Sequence, residues 1–301
     1  MTDIVIVTSY YRPEYLWLSL EAIAAADGGA EKTVWIAHDH HPQTDRLHAR
    51  LDAENDEVLS AFKGKFDKLV WHDREHNIFE GNSYNCLESY RRAYYSTGAR
   101  FVYLVEDDVL VADDFFRWHE ALQARGDYFC TIGRPCPHDT SYIVRSDPAA
   151  YCESSKDYAS LGVCWRRVHL AHVIHHAQAA YYQNMSGYIA TNFRHNAMGR
   201  FFTEQDGLIQ RVIMDGNGKR RVAWPCLKRA FHIGVTGYHR PNGPRFTGTL
   251  LERVEKLRYI VCNGQLAQMR KDFVALDDID TPTPTPAWTE DQLYVSQTFG
   301  S

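Results

Sequence analysis

The sequence has no long apolar segment and no excess of basic residues, and these absences exclude several classes of protein. No stretch approaches the ~20 consecutive apolar residues that a membrane span requires. The start, Met1-Thr2-Asp3, lacks the basic residues and the apolar run of a signal peptide, so we expect none. With 33 Lys and Arg against 38 Asp and Glu, the net charge of -5 does not predict binding to nucleic acids or membranes.

Cysteine pairs of the Cys-x-x-Cys type are also absent. The seven cysteines are odd in number and scattered, which predicts neither a disulfide framework nor a zinc site. Reduced thiols are typical of the cytoplasm, where we expect the protein to reside. The 301 residues, 45% hydrophobic and 24% charged, are typical of one large globular domain or two small ones.

A strand followed by three carboxylates is the most informative feature that is present. Residues 101–105 are apolar throughout, which predicts a strand buried on both faces. Glu106, Asp107 and Asp108 follow at once, and adjacent like charges are costly unless they are solvated or paired. A divalent cation would relieve that cost, because hard cations prefer oxygen ligands and share them with substrate phosphates. The alternative is an acidic surface turn.

Strands and helices alternate through the first part of the chain. Short β-branched runs predict strands at residues 4–8, 33–37 and 69–71, and helices are predicted between them and before residue 101. This alternation predicts an α/β fold with a mostly parallel sheet and helices on both faces. The second part alternates less regularly. Its predicted strands are at 128–132, 142–144, 163–165 and 222–224, and its predicted helices at 113–123, 168–182 and 249–273.

Glu204, Gln205 and Asp206 precede an apolar-periodic run and are predicted to begin a helix. Acids at a helix start are favoured by the helix dipole, so simple capping is one interpretation. The other is a carboxylate base presented to a pocket.

Two histidines near the glycines of residues 231–239 are candidate metal or phosphate contacts. His232 and His239 lie in a segment whose glycines let the backbone approach a ligand closely. For either histidine alone, an ordinary hydrogen-bonding role is the more common one. Basic residues at 219–221 and 228–229 have similar alternatives, a solvated face or a surface for the phosphates of DNA or RNA.

The order of these parts resembles a GT-A-type glycosyltransferase over roughly residues 4 to 240. The resembling features are the Thr-Ser-Tyr-Tyr-Arg-Pro turn at 8–13, an acid after the second strand, an Asn-x-Gly type loop and the acidic motif after residue 105. The Glu-Asp-Asp form of that motif resembles the family-2-like N-acetylglucosaminyltransferase branch. The resemblance implies a GT-A-like, Rossmann-type sheet, and four weak motifs in the right order are more specific than one.

On the donor side, the resemblance implies contacts at the ends of three strands. Four residues would border or contact the nucleotide: Thr8, Tyr10, Arg12 and Asp39. Glu106 and Asp107 would face ribose and sugar hydroxyls. Asp108 would bind Mn2+ or Mg2+ at the diphosphate.

On the acceptor side, the resemblance implies a general base and a second metal ligand. Asp206 would be the base, with Glu204 as the alternative because Gln205 separates the two acids. His232, or else His239, would complete the metal shell. One carboxylate base without a carboxylate nucleophile predicts a single displacement that inverts the anomeric carbon.

The implied function is metal-dependent transfer of a sugar from a nucleotide sugar, by default a UDP-sugar, to a hydroxyl. The acceptor is either a glycan or a hydroxymethylpyrimidine in DNA, as in phage DNA modification. We expect residues 1–112 to bind the nucleotide sugar and 113–246 to complete the acceptor and catalytic half of one domain. Helices in 247–280 and a Thr-Pro linker and tail at 281–301 would follow.

Two other functions remain open from the sequence. A nucleotidyltransferase shares the sheet topology and acidic metal motifs, but it normally carries a glycine-rich loop after the first strand, and Ser9-Tyr10-Tyr11-Arg12 contains no glycine. A nucleotide- or sugar-binding module without activity is the non-enzymatic alternative.

Overall fold

The computed structural model describes residues 2–39, 46–74, 82–135, 151–195, 203–234, 246–262 and 296–298. The strands are β1 (Ile4–Ser9), β2 (Thr33–Asp39), β3 (Lys68–Arg74), β4 (Phe101–Glu106), β5 (Val109–Val111), β6 (Cys130–Ile132), β7 (Tyr151–Ser154), β8 (Val163–Arg166), β9 (Val222–Pro225), β10 (Ala230–His232) and β11 (Ser296–Thr298). The helices are α1 (Pro13–Ala25), α2 (Arg46–Phe62), α3 (Asn82–Ser96), α4 (Phe115–Arg125), α5 (Leu170–Ile174), α6 (Ala179–Gln183), α7 (Met185–Asn192), α8 (Gln205–Met214) and α9 (Leu250–Cys262). In these ranges, no helix combines the length and the apolarity needed to cross a membrane.

Nine of the described strands form one large, mostly parallel sheet in the order β11-β7-β9-β6-β8-β4-β1-β2-β3. β1 pairs in parallel with both β2 and β4, and β2 pairs in parallel with β3. The chain therefore builds outward from β1 in one direction and then returns to its other side. The strand order therefore reverses between β1 and β4. Open α/β sheets bind their ligands in the crevice at the carboxyl ends of the two strands where the order reverses, which is called the switch point.

The predicted α/β architecture with helices on both faces of the sheet is confirmed. β1 is buried along its whole length, and its side chains alternate between two apolar clusters. Ile4 and Ile6 pack on one face of the sheet, whereas Val5 and Val7 pack on the other, against α1. A strand with two buried faces needs a continuous apolar run, which is why β1 and β4 could be recognised from sequence.

The second part of the chain departs from the prediction in one helix. The single helix predicted at 168–182 is wrong, because the chain forms a 3-10 turn at Arg167–His169 and then the short helices α5 and α6. Gln178 is extended, with φ -124° and ψ 153°, and this break turns the chain so that Tyr181 and Tyr182 are buried. Packing of these aromatic side chains overrides local helix propensity.

A two-stranded sheet that the sequence did not predict lies beside the acidic motif. β5 begins directly after Asp108 and pairs antiparallel with β10, so that Val109 faces His232 in register. The Ile233 amide then donates to the Asp108 carbonyl oxygen at 2.8 Å. The pairing of β5 with β10 places His232, which is distant in sequence, beside the acidic motif.

Some predicted features lie outside the described residues. They are the strand at 142–144, the Asn-x-Gly type loop, His239, the part of the last helix beyond Cys262 and the Thr-Pro segment at 281–286. Within the tail, β11 lies parallel to β7.

Candidate active site

The acidic motif at the end of β4 is buried and held by one arginine. Asp107 and Asp108 are 1% and 6% exposed, so the interpretation as an acidic surface turn is wrong. The Arg12 guanidinium donates through Nη2 to Asp107 and through Nη1 to Asp108 Oδ2 at 2.7 Å. The backbone amide of Tyr10 also lies 3.3 Å from Asp107 Oδ2. The turn after β1 therefore supplies the positive charge that pairs two of the three acids.

The two aspartates respond differently to this arginine. Desolvation raises the pKa of Asp107 to about 6, although Arg12 opposes the shift. For Asp108, desolvation is outweighed by Arg12 and His232, which hold its pKa below the usual range. Arg12 itself loses hydration, but the two carboxylates raise its pKa above the ordinary value. Asp108 therefore stays ionised, as a cation ligand must.

Asp108 still has coordinating capacity that its neighbours do not use. Its Oδ1 is buried and has no hydrogen-bond partner among the described residues. His232 Nε2 lies 3.4 Å from Asp108 Oδ2. A Cβ added to Gly234 would come within 2.4 Å of the same oxygen and 2.9 Å of His232 Nε2, so glycine keeps this space open. These features fit a divalent cation that takes its other ligands from a substrate, as hard cations do with phosphates.

The described residues supply two candidate metal ligands at this place, Asp108 and His232. In the described ranges, no group of three or more His, Cys, Asp or Glu side chains is arranged to hold a metal ion. Asp108 and His232 would provide two ligands, and His239 lies outside those ranges.

Asp206 lies in the first turn of α8. Glu204 is at the N-cap position, but its side chain makes no capping hydrogen bond within the described residues. Ser160 Oγ lies 3.4 Å from Asp206 Oδ2, whereas Asp206 Oδ1 is buried and has no hydrogen-bond partner in the same ranges. Desolvation, with Glu204, raises the pKa of Asp206 to about 6, although Ser160 opposes the shift. Such a carboxyl is suited to accept a proton near neutral pH.

Glu106 connects the two groups of acids. Its Oε1 lies 3.3 Å from Asn82 Nδ2 and 3.3 Å from Ser160 Oγ. Desolvation, together with the charges of Asp108 and Asp206, raises the pKa of Glu106 well above its usual value. Asp108 and Asp206 therefore lie on the same side of the molecule, around one glutamate.

A buried hydrogen-bonded pair anchors the start of α8, and sequence reasoning did not identify it. Ser83 Oγ donates to Gln205 Oε1 at 2.8 Å and accepts from the Gln205 amide at 3.0 Å. Gln205, which interrupts the pair of acids in the sequence, thus ties α8 to the first turn of α3. The signal was not local, because 122 residues separate the partners.

The remaining nucleotide candidates line the carboxyl ends of β1 and β2. Thr8 is buried, and its carbonyl oxygen accepts from the Asp107 amide at 3.0 Å. The Tyr10 side chain is 39% exposed, and desolvation together with Asp39 raises its pKa to about 12. Asp39 is 6% exposed at the end of β2. Tyr10 and Asp39 are therefore close to each other at the switch point, with an exposed ring beside a buried acid.

Three arginines of the basic segment have partners within the fold. Arg229 is buried and paired with Asp114, with Nη2 and Oδ2 3.1 Å apart. Arg221 pairs with Glu153 at 2.9 Å, and the Arg220 guanidinium lies over the ring of Phe129. These three arginines neutralise or cover groups of the fold itself.

Comparisons with known proteins agree with this architecture. No family model matches the chain, and no curated protein matches it significantly in sequence. The crystal structure of S. aureus TarS 1-349 in complex with UDP-GlcNAc superposes with a TM-score of 0.52 at 13% identity, over 92% of this chain and 77% of that one. The fold is GT-A-like.

Other solved glycosyltransferases align over smaller shares of the GT-A-like chain. S. aureus TarS has a TM-score of 0.41 at 16% identity, and the match covers 57% of this chain but only 30% of that chain. The mannosyltransferase PcManGT from Pyrobaculum calidifontis, in complex with GDP-Man and Mn2+, has a TM-score of 0.38 at 15% identity, over 55% of this chain and 44% of that one.

Proposed function

We propose that the protein is a metal-dependent, inverting glycosyltransferase that moves a sugar from a nucleotide sugar to a hydroxyl group. The observation that carries this proposal is the placement of Asp108 and Asp206 around Glu106 at the carboxyl edge of the sheet. One acid is held ionised and has an unused buried oxygen. The other has a pKa of about 6, as a general base acting near neutrality requires.

The donor would lie over the ends of β1, β2 and β4. In this proposal Tyr10 and Asp39 would contact the nucleotide, and Glu106 and Asp107 would contact ribose and sugar hydroxyls. Asp108 and His232 would hold Mn2+ or Mg2+, which when bound neutralises charge on the diphosphate leaving group. A UDP-sugar is the proposed donor, and UDP-GlcNAc is the first to test because TarS 1-349, which shares the fold, was solved with it.

The reaction assigned to Asp206 is removal of one proton. The acceptor oxygen forms a bond to the anomeric carbon while the bond from that carbon to the diphosphate oxygen breaks, and the electron pair leaves with the diphosphate. The acceptor hydroxyl proton passes to Asp206. Because no second carboxylate is assigned as a nucleophile, the product has the inverted configuration, which NMR of the product's anomeric proton checks.

A glycan hydroxyl is the proposed acceptor. The alternative, a hydroxymethylpyrimidine in DNA, had the basic segment as its support, and three arginines of that segment are engaged within the fold. Incubation with hydroxymethylated and unmodified DNA, followed by electrophoresis at several salt concentrations, tests the alternative. Salt-sensitive retardation of the DNA would favour it, because phosphate contacts release counterions.

The deciding experiment measures stability and turnover with the same set of nucleotide sugars. UDP-GlcNAc, UDP-glucose, UDP-galactose and GDP-mannose are added with Mn2+, with Mg2+ and with EDTA, and the melting temperature is recorded. A ligand that binds only the folded state raises it. We expect one nucleotide sugar to do so with a divalent cation and not with EDTA. Asp108→Asn should abolish the increase, whereas Asp113→Asn, a nearby acid outside the site, should not.

The released product separates the alternative functions. A glycosyltransferase releases a nucleoside diphosphate and a nucleotidyltransferase releases pyrophosphate, whereas a binding module gives a thermal shift without either product. Detection of pyrophosphate, or of binding without turnover in the presence of candidate acceptors, would contradict the proposal.

We further propose a cytoplasmic location. Five cysteines of the described ranges are buried and form no disulfide with one another, which is typical of a reducing compartment. Fractionation of cells that express the tagged chain tests this location.

A further inference from the structure

Ser160 occupies the position between the donor-side and acceptor-side acids. It is 5% exposed, and its hydroxyl lies 3.3 Å from Glu106 Oε1 and 3.4 Å from Asp206 Oδ2. It precedes β8 and is distant in sequence from both acids, by 54 and 46 residues. No sequence motif drew attention to it.

A serine hydroxyl has one hydrogen, so Ser160 can donate to only one of these two carboxyls at a time. Glu106 Oε1 already has another donor, the side-chain amide of Asn82 at 3.3 Å. Asp206 has fewer alternatives, because its Oδ1 has no hydrogen-bond partner in the described part of the chain. We therefore infer that the Ser160 hydroxyl donates its hydrogen bond to Asp206 rather than to Glu106.

We propose that Ser160 is a positioning residue that fixes the Asp206 carboxylate beside Glu106. The inference rests on the proposed function, because it takes Asp206 to be the base. A hydrogen bond from the buried Ser160 hydroxyl restricts the orientation of the carboxylate, and a base must lie within hydrogen-bonding reach of the acceptor hydroxyl. The same serine connects Asp206 to Glu106, so the base is placed relative to the donor side of the site.

Several other groups also act on the charge of Asp206. They lie on the loops and helices packed around it and are Glu204, Glu106, Arg134, Tyr158 and Tyr181. A test must therefore change the hydroxyl of Ser160 and leave these groups in place. Ser160→Ala does so by removing a single oxygen, and Ser160→Thr keeps the hydroxyl. Ser19→Ala is the matched control, because that buried hydroxyl contacts the Glu106 carbonyl oxygen at 3.4 Å and not Asp206.

The first measurement does not depend on activity. The protein is labelled with 13C at aspartate carboxyls, and the Asp206 signal is identified as the one lost in Asp206→Asn. Titration between pH 4 and 8 should give a pKa near 6 in the wild type. Removing a hydrogen bond to the ionised form should raise it by about one pH unit in Ser160→Ala, but not in Ser160→Thr or Ser19→Ala. An unchanged pKa in Ser160→Ala, with native near-UV circular dichroism, would overturn the inference.

The second measurement uses UDP release from UDP-GlcNAc, with water as acceptor, as a function of pH. In Ser160→Ala we expect the acidic limb of kcat to move to higher pH by about one unit, so that kcat falls about tenfold at pH 5 and about twofold at pH 7, with KM for the donor unchanged. A change confined to KM would contradict a positioning role. The two failures are distinguishable. Absence of turnover with every nucleotide sugar counts against the proposed function, whereas an unshifted Asp206 titration counts against the role of Ser160 even in an active enzyme.

Discussion

The acidic motif after β4 and the acid at the start of α8 lie in one site, but the pKa of Asp108 and the pKa of Asp206 are shifted in opposite directions. Asp108 has the Arg12 guanidinium at 2.7 Å and a pKa below the usual range. Asp206 has a serine as its neighbour and a pKa of about 6. Desolvation raises the pKa of both carboxyls, and only Asp108 has cationic groups in contact that reverse the effect. The difference shows that the partner of each carboxyl, rather than burial alone, decides which is a permanent anion and which can take a proton.

Of the variants considered, Asp206→Asn should lower the rate of sugar transfer most, because it removes the group that takes the proton. We expect the rate of sugar transfer to fall by about 10^2 to 10^4-fold, while the donor-induced increase in melting temperature persists. Measurement of UDP release and of melting temperature on the same preparation checks both. Glu204→Gln is the matched control and should lower the rate by less than about tenfold. If the two variants lose activity equally, the base is not assigned to Asp206.

Arg12→Met removes the cation that distinguishes the acidic motif from Asp206. The loss of one partner of a fully buried ion pair costs about 3–5 kcal/mol, and we discount this to roughly 2–3 kcal/mol because the Arg12 side chain is 21% exposed. The melting temperature should fall by roughly 5 °C. Millimolar Mn2+ should recover part of the loss, because it can take the place of the guanidinium beside Asp107 and Asp108.

Arg117→Met provides the control for this variant. Its ion pair with Asp27 joins side chains that are 39% and 58% exposed, so its loss should cost less than about 1 kcal/mol. Equal destabilisation by Arg12→Met and Arg117→Met would show that Arg12 is not the cation that stabilises the acidic motif.

The pH dependence of the rate should reveal the raised pKa of Asp206. Its value of about 6 lies above the usual 3.8, so the carboxyl becomes protonated, and inactive as a base, as the pH falls through 6. The transfer rate should therefore decrease by about tenfold per pH unit below pH 6 and level off above pH 7. The pKa of Asp107 is also about 6, so the assignment depends on Asp206→Asn. The residual rate of that variant should be flat between pH 5 and 7, and a persisting limb would belong to Asp107.

Ser83→Ala should have the smallest effect, because it loosens the anchor of α8 and leaves every acid in place. It removes the two hydrogen bonds with Gln205, which should cost about 1 kcal/mol of stability and lower kcat a few-fold. Ser89→Ala is the control, because it removes another buried hydroxyl of α3, bonded to the Asn85 carbonyl oxygen at 2.7 Å. We expect similar stability losses and an unchanged kcat in the control, as measured by thermal unfolding and UDP release. Equal kcat values in both variants would mean that the anchor does not position Asp206.

Local pattern was sufficient to predict the central strands and two of the site's acids. β1, β2 and β4 were recognised because strands buried on both faces need continuous apolar runs, and Asp108 because it follows such a run. The prediction that Asp108 and Asp206 lie in one site agrees with their position around Glu106. The roles of these residues remain predictions. The helix at 168–182 was wrong because the burial of Tyr181 and Tyr182 interrupts it.

Contacts between residues far apart in the chain could not be predicted in the same way. Ser83 and Ser160 carry no local signal, because each acts through a partner at least 46 residues away. Arg12 was expected to border the nucleotide, but the structure pairs it with Asp107 and Asp108, 95 and 96 residues further on. Gln205 interrupts two acids in the sequence and anchors a helix in the fold.

The amino-acid sequence alone determined that the chain alternates strands and helices and that acids follow a buried strand and begin a late helix. It could do so because periodicity and burial patterns are properties of neighbouring residues. Only the tertiary structure decided which of those acids faces a cation, since a pKa depends on the charges and solvent that surround a group in space. That surrounding comes from the turn after β1, the loop before β8 and the strand β10, which are brought together only when the sheet forms.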